Sequence, residues 1–212
     1  MLTTKKIIEF YLFINPLEKE SFENLQNILA FAETRQEKVS IQIMPLLNLS
    51  SFNHFMYKHN LSETDLTTRN KLFAQTYDMS LSFIAASMQG KKKGRKFLLN
   101  LQDAVLNQGR AYSEELLVEM AEKSKIDVPM FFDDKQSDFA KTAFSADQKV
   151  ARDMKVETTP SCVMFNESLY EYGLLLEHEV SYSLLNNLYD ISPNQLDTVM
   201  KKNVFPTLRV LN

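Results

Sequence analysis

Positions 5–14 read K-K-I-I-E-F-Y-L-F-I, a short run rich in β-branched and aromatic residues that ends at Asn15-Pro16, and this pattern predicts a buried strand closed by a turn. Beyond it, Phe22, Leu25, Ile28, Leu29 and Ala32 recur at helical spacing, with Glu23, Asn24, Gln26 and Asn27 between them. That spacing predicts an amphipathic helix lying on a sheet. Val39, Ile41 and Ile43 then alternate with Ser40, Gln42 and Met44, the period of a second strand, which Pro45 helps to close. A right-handed β-α-β crossover makes the two strands parallel neighbours in one sheet.

From about 50 to 125 the strand signals vanish. Apolar residues fall instead on helical stripes: Leu72, Thr76, Met79 and Phe83, then Phe97, Leu98, Leu101 and Val105, then Leu116, Leu117 and Met120. Gly90, Gly94 and Gly109 punctuate this stretch, and Ser113 before Glu114 and Glu115 marks a helix start. After Pro129, the residues Phe139, Ala140, Ala143, Val150, Ala151 and Met154 predict helix returning toward the sheet. Strands resume at 161–165 (S-C-V-M-F) and 169–176 (L-Y-E-Y-G-L-L-L), separated by the turn-like Asn166-Glu167-Ser168 of an antiparallel hairpin. Tyr182, Leu185, Leu188 and Tyr189 supply a closing helix. The expected organisation is therefore an α/β domain at 1–49 and 126–191, an all-helical insertion domain at 50–125, and a C-terminal helix and tail at 192–212.

Composition narrows the function classes. With 212 residues, 44% of them hydrophobic, the chain can bury a substantial core as one domain or one domain with an insertion. A net charge of -3 gives no global reason to bind nucleic acid or an anionic membrane surface, so neither partner is expected. No run approaches the roughly 20 apolar residues of a bilayer span. Met1-Leu-Thr-Thr-Lys-Lys leads into a strand-like segment rather than a signal-peptide core, which predicts a cytoplasmic protein. The single cysteine, Cys162, excludes an internal disulfide and a multi-cysteine metal site and fits a reducing compartment. His54, His59 and His178 stand at no zinc-like spacing and read as surface or cap residues, so neither a metal nor another cofactor is expected.

Lys91, Lys92, Lys93, Arg95 and Lys96 form the one dense basic run, read as a solvated loop between helices and loosened by Gly90 and Gly94. As a functional surface it would meet an acidic protein rather than nucleic acid, because no stacking aromatics interleave it. Ten methionines can pad the core or adapt a binding face.

Two segments carry chemistry. Positions 15–22 read N-P-L-E-K-E-S-F at a strand-to-helix turn, and 154–165 read M-K-V-E-T-T-P-S-C-V-M-F, a loop leading into a strand. The first resembles the turn that holds C-x-x-C in DsbA-like proteins, where a form close to D-P-L-C-P-x-C-W is familiar from the YjbH (SpxH) group of Gram-positive bacteria. The second is similar to the thioredoxin superfamily's G-V-x-x-T-P-T-F-V-V loop, which makes Thr159-Pro160 the cis-proline pair. The stretch at 116–132 (L-L-V-E-M-A-E-K-S-K-I-D-V-P-M-F-F) is similar to the DsbA family's helix followed by I-D-V-x-x-F. The resemblance runs in order over most of residues 5–190 and implies a thioredoxin fold with an all-helical insertion.

Against that pattern Glu18 stands where the attacking cysteine would be and Ser21 where the resolving one would be. Thiol-disulfide exchange needs a thiolate and a second thiol, and a carboxylate and an alcohol cannot make or break an S–S bond. No dithiol catalysis is expected. An anion at a helix N-terminus is still favoured by about 0.3–1 kcal/mol, so Glu18 can replace the thiolate without harm to the scaffold. Glu18, Lys19 and Glu20 are either a solvated first turn or a contact surface. Pro160 either shapes the fold or, with Thr159, offers an edge to an extended peptide, with Leu17, Phe22 and the turn of Glu18 to Ser21 completing a shallow groove. Ser21 has no imidazole placed beside it by any motif, which disfavours a hydrolytic role. Cys162 reads as a small buried hydrophobe, with a reactive single-cysteine role as the alternative.

The resemblance implies a redox-inactive protein-binding module of the YjbH (SpxH) kind. Members of that group are cytosolic adaptors that present the regulator Spx to the ClpXP protease, so the implied partners are Spx or a related small thioredoxin-fold regulator, and ClpXP itself. The alternative is an enzyme of the same branch, a cytosolic thiol-disulfide oxidoreductase or a glutathione-dependent protein using Cys162.

Overall fold

The computed structural model describes residues 7–62, 64–166, 173–191, 195 and 208–211. Its first strand, β1 (Ile7–Ile14), starts with strict alternation, with Ile8, Phe10 and Leu12 buried while Ile7, Glu9 and Tyr11 are half-buried. It becomes fully buried at Phe13 and Ile14, where both faces are covered. Helix α1 (Lys19–Glu33) and strand β2 (Lys38–Pro45) follow as the hydrophobic pattern predicts, and β2 lies beside β1 in the sheet.

The sheet has the order β2-β1-β3-β4-β5, with β3 at Ser161–Asn166, β4 at Gly173–Glu177 and β5 at Leu208–Leu211. Strand β3 runs antiparallel to β1, with Leu12 opposite Cys162 and Phe13 opposite Ser161. It also runs antiparallel to β4, with Cys162 opposite Leu176. The expected hairpin is therefore present, although its turn and residues 169–172 lie outside the described residues. Phe10 meets Phe31 of α1 edge-on at 5.7 Å, and Phe31 in turn meets Tyr189 of helix α8 (Tyr182–Asp190), so α1 and α8 share one side of the sheet. Asn24 of α1, itself buried, donates to the His178 carbonyl at 2.6 Å and accepts from the Val180 amide at 2.9 Å, fixing the segment between β4 and α8.

One expectation is corrected at the C-terminal end, for the helix and tail expected over 192–212. Leu208–Leu211 pair antiparallel with β4, Leu176 opposite Leu208 and Leu174 opposite Val210. Four residues are too few to show a period in sequence, and the open edge of β4 decides their conformation. The helix expected from Ser192 falls almost entirely on residues outside those described.

Helices fill the stretch between β2 and β3: α2 (Leu49–Lys58), α3 (Leu66–Met88), α4 (Lys91–Gln102) running into a π-helical turn (Asp103–Asn107), α5 (Glu114–Lys123), α6 (Val128–Gln136) and α7 (Asp138–Asp153). Polar side chains cap most of them. Asn48 forms a capping box with Ser51, and Asp65, Ser113, Asp127 and Ser137 each accept from a first-turn amide. Their core joins Met79, Phe97, Leu101, Leu117, Met120 and Phe131.

The basic run is not a loop. Lys91 to Lys96 form the opening turns of α4, and Gly94 is what makes the helix fit, since a Cβ there would lie 2.2 Å from Ser87 Oγ and 2.6 Å from Ser87 Cα on α3. Close packing of α3 and α4, with Phe97, Leu98 and Leu101 fully buried, overrides the helix cost of Gly94 and the repulsion of the like charges around it.

By compactness the chain forms two units. One comprises 1–14, 23–44 and 159–212, the other 15–22 and 45–158. Helices α6 and α7 thus group with the helical unit, and the division differs from the expected boundaries at 50 and 125 because α3 packs on both of them. No helix among the described residues is long and apolar enough to cross a membrane.

Candidate functional site

The turn at 15–22 is built around Asn15. Its side-chain Oδ1 accepts from the Leu17 amide at 2.9 Å, and its carbonyl accepts from the Glu18 amide at 3.0 Å. These are the local bonds by which an asparagine before a proline shapes a turn. The Asn15 amide donates to Ser21 Oγ at 3.2 Å, and Ser21 Oγ donates to Glu18 Oε2 at 3.0 Å. Gln102, at the far end of α4, donates from Nε2 to the Pro16 carbonyl at 3.2 Å, and its buried Oε1 has no hydrogen-bond partner among the described residues. Leu17 packs half-buried against the helical core.

Glu18 is therefore no part of a solvated turn. Its side chain is fully buried, and its other oxygen, Oε1, takes the Lys58 ammonium of α2 at 3.0 Å. The same ammonium reaches Glu20 Oε1 at 3.2 Å. Burial alone would lower the Lys58 pKa, but the Glu18 and Glu20 carboxylates outweigh it and hold the ammonium above its usual range. Glu20 is held below the usual carboxylate range: burial works against this, and its backbone hydrogen bond, Lys58 and His59 prevail. Glu18, Glu20 and His59 bring possible metal-ligating atoms within 4.8 Å of one another, yet Lys58 already supplies the positive charge at both carboxylates. His59 itself closes α2 as its C-terminal cap and lies against the Phe55 ring at 4.7 Å.

The second segment behaves as its motif implies. The Thr159-Pro160 bond is cis, and both residues are buried. The Pro160 carbonyl accepts from the His178 amide at 2.9 Å, whereas among the described residues no hydrogen bond engages the Thr159 backbone. Cys162, two residues on, is fully buried between Leu12 and Leu176, and burial pushes its thiol far above the usual range. Such a thiol is packing, since nucleophilic sulfur needs a thiolate.

Of the eight candidate contact residues, Glu18, Ser21, Phe22, Thr159 and Pro160 are buried, Leu17 and Glu20 half-buried, and Lys19 exposed. The residues that sequence reasoning missed are Lys58, Asn15 and Gln102. Asn15 carried a signal in its Asn-Pro pair, but Lys58 lies 40 positions from Glu18 and nothing local ties the two.

A strand-to-helix turn, a cis-proline loop at the head of an antiparallel strand and a helical block after the second strand define a DsbA-like thioredoxin fold, here without a dithiol. A family model described as Thioredoxin matches residues 11–187, and the chain belongs to that family. Among curated relatives it is 27% identical over 201 residues to the ClpXP adapter protein SpxH of Bacillus subtilis (strain 168), covering 87% of this chain and 67% of the relative. It is 25% identical over 206 residues to the SpxH of Staphylococcus aureus, covering 95% of this chain and 71% of the relative. Among solved structures, the oxidoreductase NmDsbA1 from N. meningitidis superposes with TM-score 0.56 at 11% identity, covering 95% of this chain and 88% of that one. The thiol-disulfide exchange protein alpha-DsbA2 from Wolbachia pipientis gives 0.57 at 15% identity, covering 90% and 83%. At those identities the structures speak for the fold alone.

Proposed function

We propose that the chain is a redox-inactive protein-binding module that serves as an adaptor for the ClpXP protease, presenting Spx or a related small thioredoxin-fold regulator in the cytoplasm. The observation that carries this reading is the Glu18-Ser21-Lys58 network. Where a dithiol enzyme keeps reactive sulfur at the start of the helix, this chain holds a buried carboxylate paired with Lys58 and hydrogen-bonded by Ser21, which has nothing to transfer. The curated relatives named as ClpXP adapters support the same role. Lys19, with the half-buried Leu17 and Glu20, supplies the contact surface at the turn, while buried Glu18, Ser21 and Phe22 fix its shape. The backbone of Thr159, which no hydrogen bond engages among the described residues, supplies an edge beside Pro160 for an extended peptide. The competing single-cysteine enzyme lacks support, because Cys162 is fully buried with its thiol pushed up.

The test is reconstituted proteolysis of a fluorescent Spx-type regulator by purified ClpXP. Adding the chain is expected to speed degradation several-fold, and a Lys19→Glu, Glu20→Lys exchange to remove most of that gain. An unchanged rate together with no association in a direct binding titration would overturn the reading.

A further inference from the structure

The opening of α4 carries five cations in six residues, spread over about 9 Å of helix. Lys91, Lys92, Lys93 and Lys96 are exposed and Arg95 is half-buried. Among the described residues Lys92, Lys93, Arg95 and Lys96 form no ion pair, whereas Lys58, Arg110, Lys135 and Lys141 each reach a carboxylate. At about 100° per residue, Lys92 and Lys96 point away from the buried stripe of Gly94, Phe97, Leu98 and Leu101, and Lys93 lies at its flank.

These charges sit where a helix is already positive. The first-turn amides of α4 end at Gly90, which offers no side-chain cap, and no acidic residue stands in that turn. Helix α5 instead opens with Glu114 and Glu115, and α7 with Asp138. Lys92 and Lys96 further repel each other as an i,i+4 pair of like charges. A chain whose net charge is -3 thus leaves Lys92, Lys93, Arg95 and Lys96 without an ion-paired carboxylate among the described residues. The patch is carried on a seated helix, since Gly94 approaches Ser87 of α3 too closely to admit a Cβ. A pre-ordered array of unneutralised cations loses less freedom on binding than a loop would.

We propose that this face binds an acidic segment of a protein, a run of Asp and Glu side chains that supplies the missing counter-charge. Nucleic acid fits poorly: the aromatic residue on these turns, Phe97, is fully buried, so no ring is offered for base stacking. An anionic membrane fits poorly because Phe97 and Leu98 are buried and leave no apolar side chain on these turns to insert. The face lies about 9–15 Å along α4 from Gln102, which holds the turn at 15–22, and it stands whether or not the adaptor reading does.

The test titrates the full chain into fluorescein-labelled octa-glutamate and follows anisotropy, with octa-glutamine as control. Saturable binding of octa-glutamate is expected, weakened as salt rises, with none of octa-glutamine. The Lys92→Glu, Lys93→Glu, Lys96→Glu variant is expected to bind roughly tenfold or more weakly, and the variant with arginine at the same three positions about as well as the parent. Acidic residues in a first turn favour the helix, so the reversed variant keeps its fold, as a thermal melt will register. No saturable octa-glutamate binding, binding that the reversal leaves intact, or tighter binding of a single-stranded oligonucleotide or phosphatidylserine vesicles through the same lysines would each overturn the proposal. Octa-glutamate binding retained in a chain that ignores Spx-type regulators sinks only the adaptor reading. Loss of octa-glutamate binding with regulator delivery intact sinks only this one.

Discussion

Replacing Lys58 with methionine tests whether the carboxylate at the head of α1 is held by its ion pair. Glu18 is fully buried and Lys58 Nζ lies 3.0 Å from its Oε1, while the Lys58 side chain remains 26% exposed. Stripping one partner from a buried pair costs about 3–5 kcal/mol, because the other charge is left without compensation. Here Ser21 Oγ still donates to Glu18, and water can reach the space Lys58 vacates, so about 2–3 kcal/mol is expected. In a chain of this size each kcal/mol lowers Tm by about 2–4 °C, which gives a fall of about 4–12 °C. Urea denaturation should show the midpoint falling at unchanged m. Adding Glu18→Gln to Lys58→Met removes the orphaned charge and is expected to recover at least about 1 kcal/mol of the loss, a coupling that distant sites do not show. The reasoning fails if Lys58→Met stays within about 0.5 kcal/mol of the parent, or if the two substitutions simply add.

Gly94→Ala gains helix propensity of about 1 kcal/mol yet forces a methyl into Ser87, so a net loss of about 1–3 kcal/mol is expected in urea; a stabilised variant would contradict the close packing of α3 and α4. The half-buried Asp147 carboxyl is pushed up to about 7 by burial, against about 3.9 in an unfolded chain. Its raised folded value means no penalty in acid and a stability loss that grows as pH rises from about 4 through 7. Asp147→Asn should therefore match the parent near pH 4 and exceed it by on the order of 1–2 kcal/mol above pH 7, with partial exposure trimming the full linkage value. Cys162 should react with a thiol reagent in the native state only at the rate the protein opens, and at once in urea. In an insulin-reduction assay neither the parent nor Cys162→Ser should turn over, since Glu18 and Ser21 stand at the two motif positions.

Short-range pattern made the sheet's first half legible. The apolar, β-branched and aromatic run up to Ile14 declares β1, Val39, Ile41 and Ile43 declare β2 by their period, and Thr159-Pro160 declares its loop by residue type. The burial of Glu18 was not legible, since a glutamate in a first turn is ordinarily solvated, and its partner arrives from α2 through tertiary packing. The helical state of Lys91 to Lys96 was hidden for a related reason. Like charges and a glycine argue locally for a loop, and the deciding contact, Gly94 on Ser87, is visible only once two helices are placed side by side. Strand β5 was missed because its conformation is imposed by the edge it joins.

The pairing of β1 with β3 also sets a schedule for biosynthesis. Tyr11 pairs with Val163, so the first strand leaves the ribosome about 150 residues before the neighbour that will flank it. At about 5–20 residues per second that interval is roughly 8–30 s, during which an apolar ribbon waits with one hydrogen-bonding edge open.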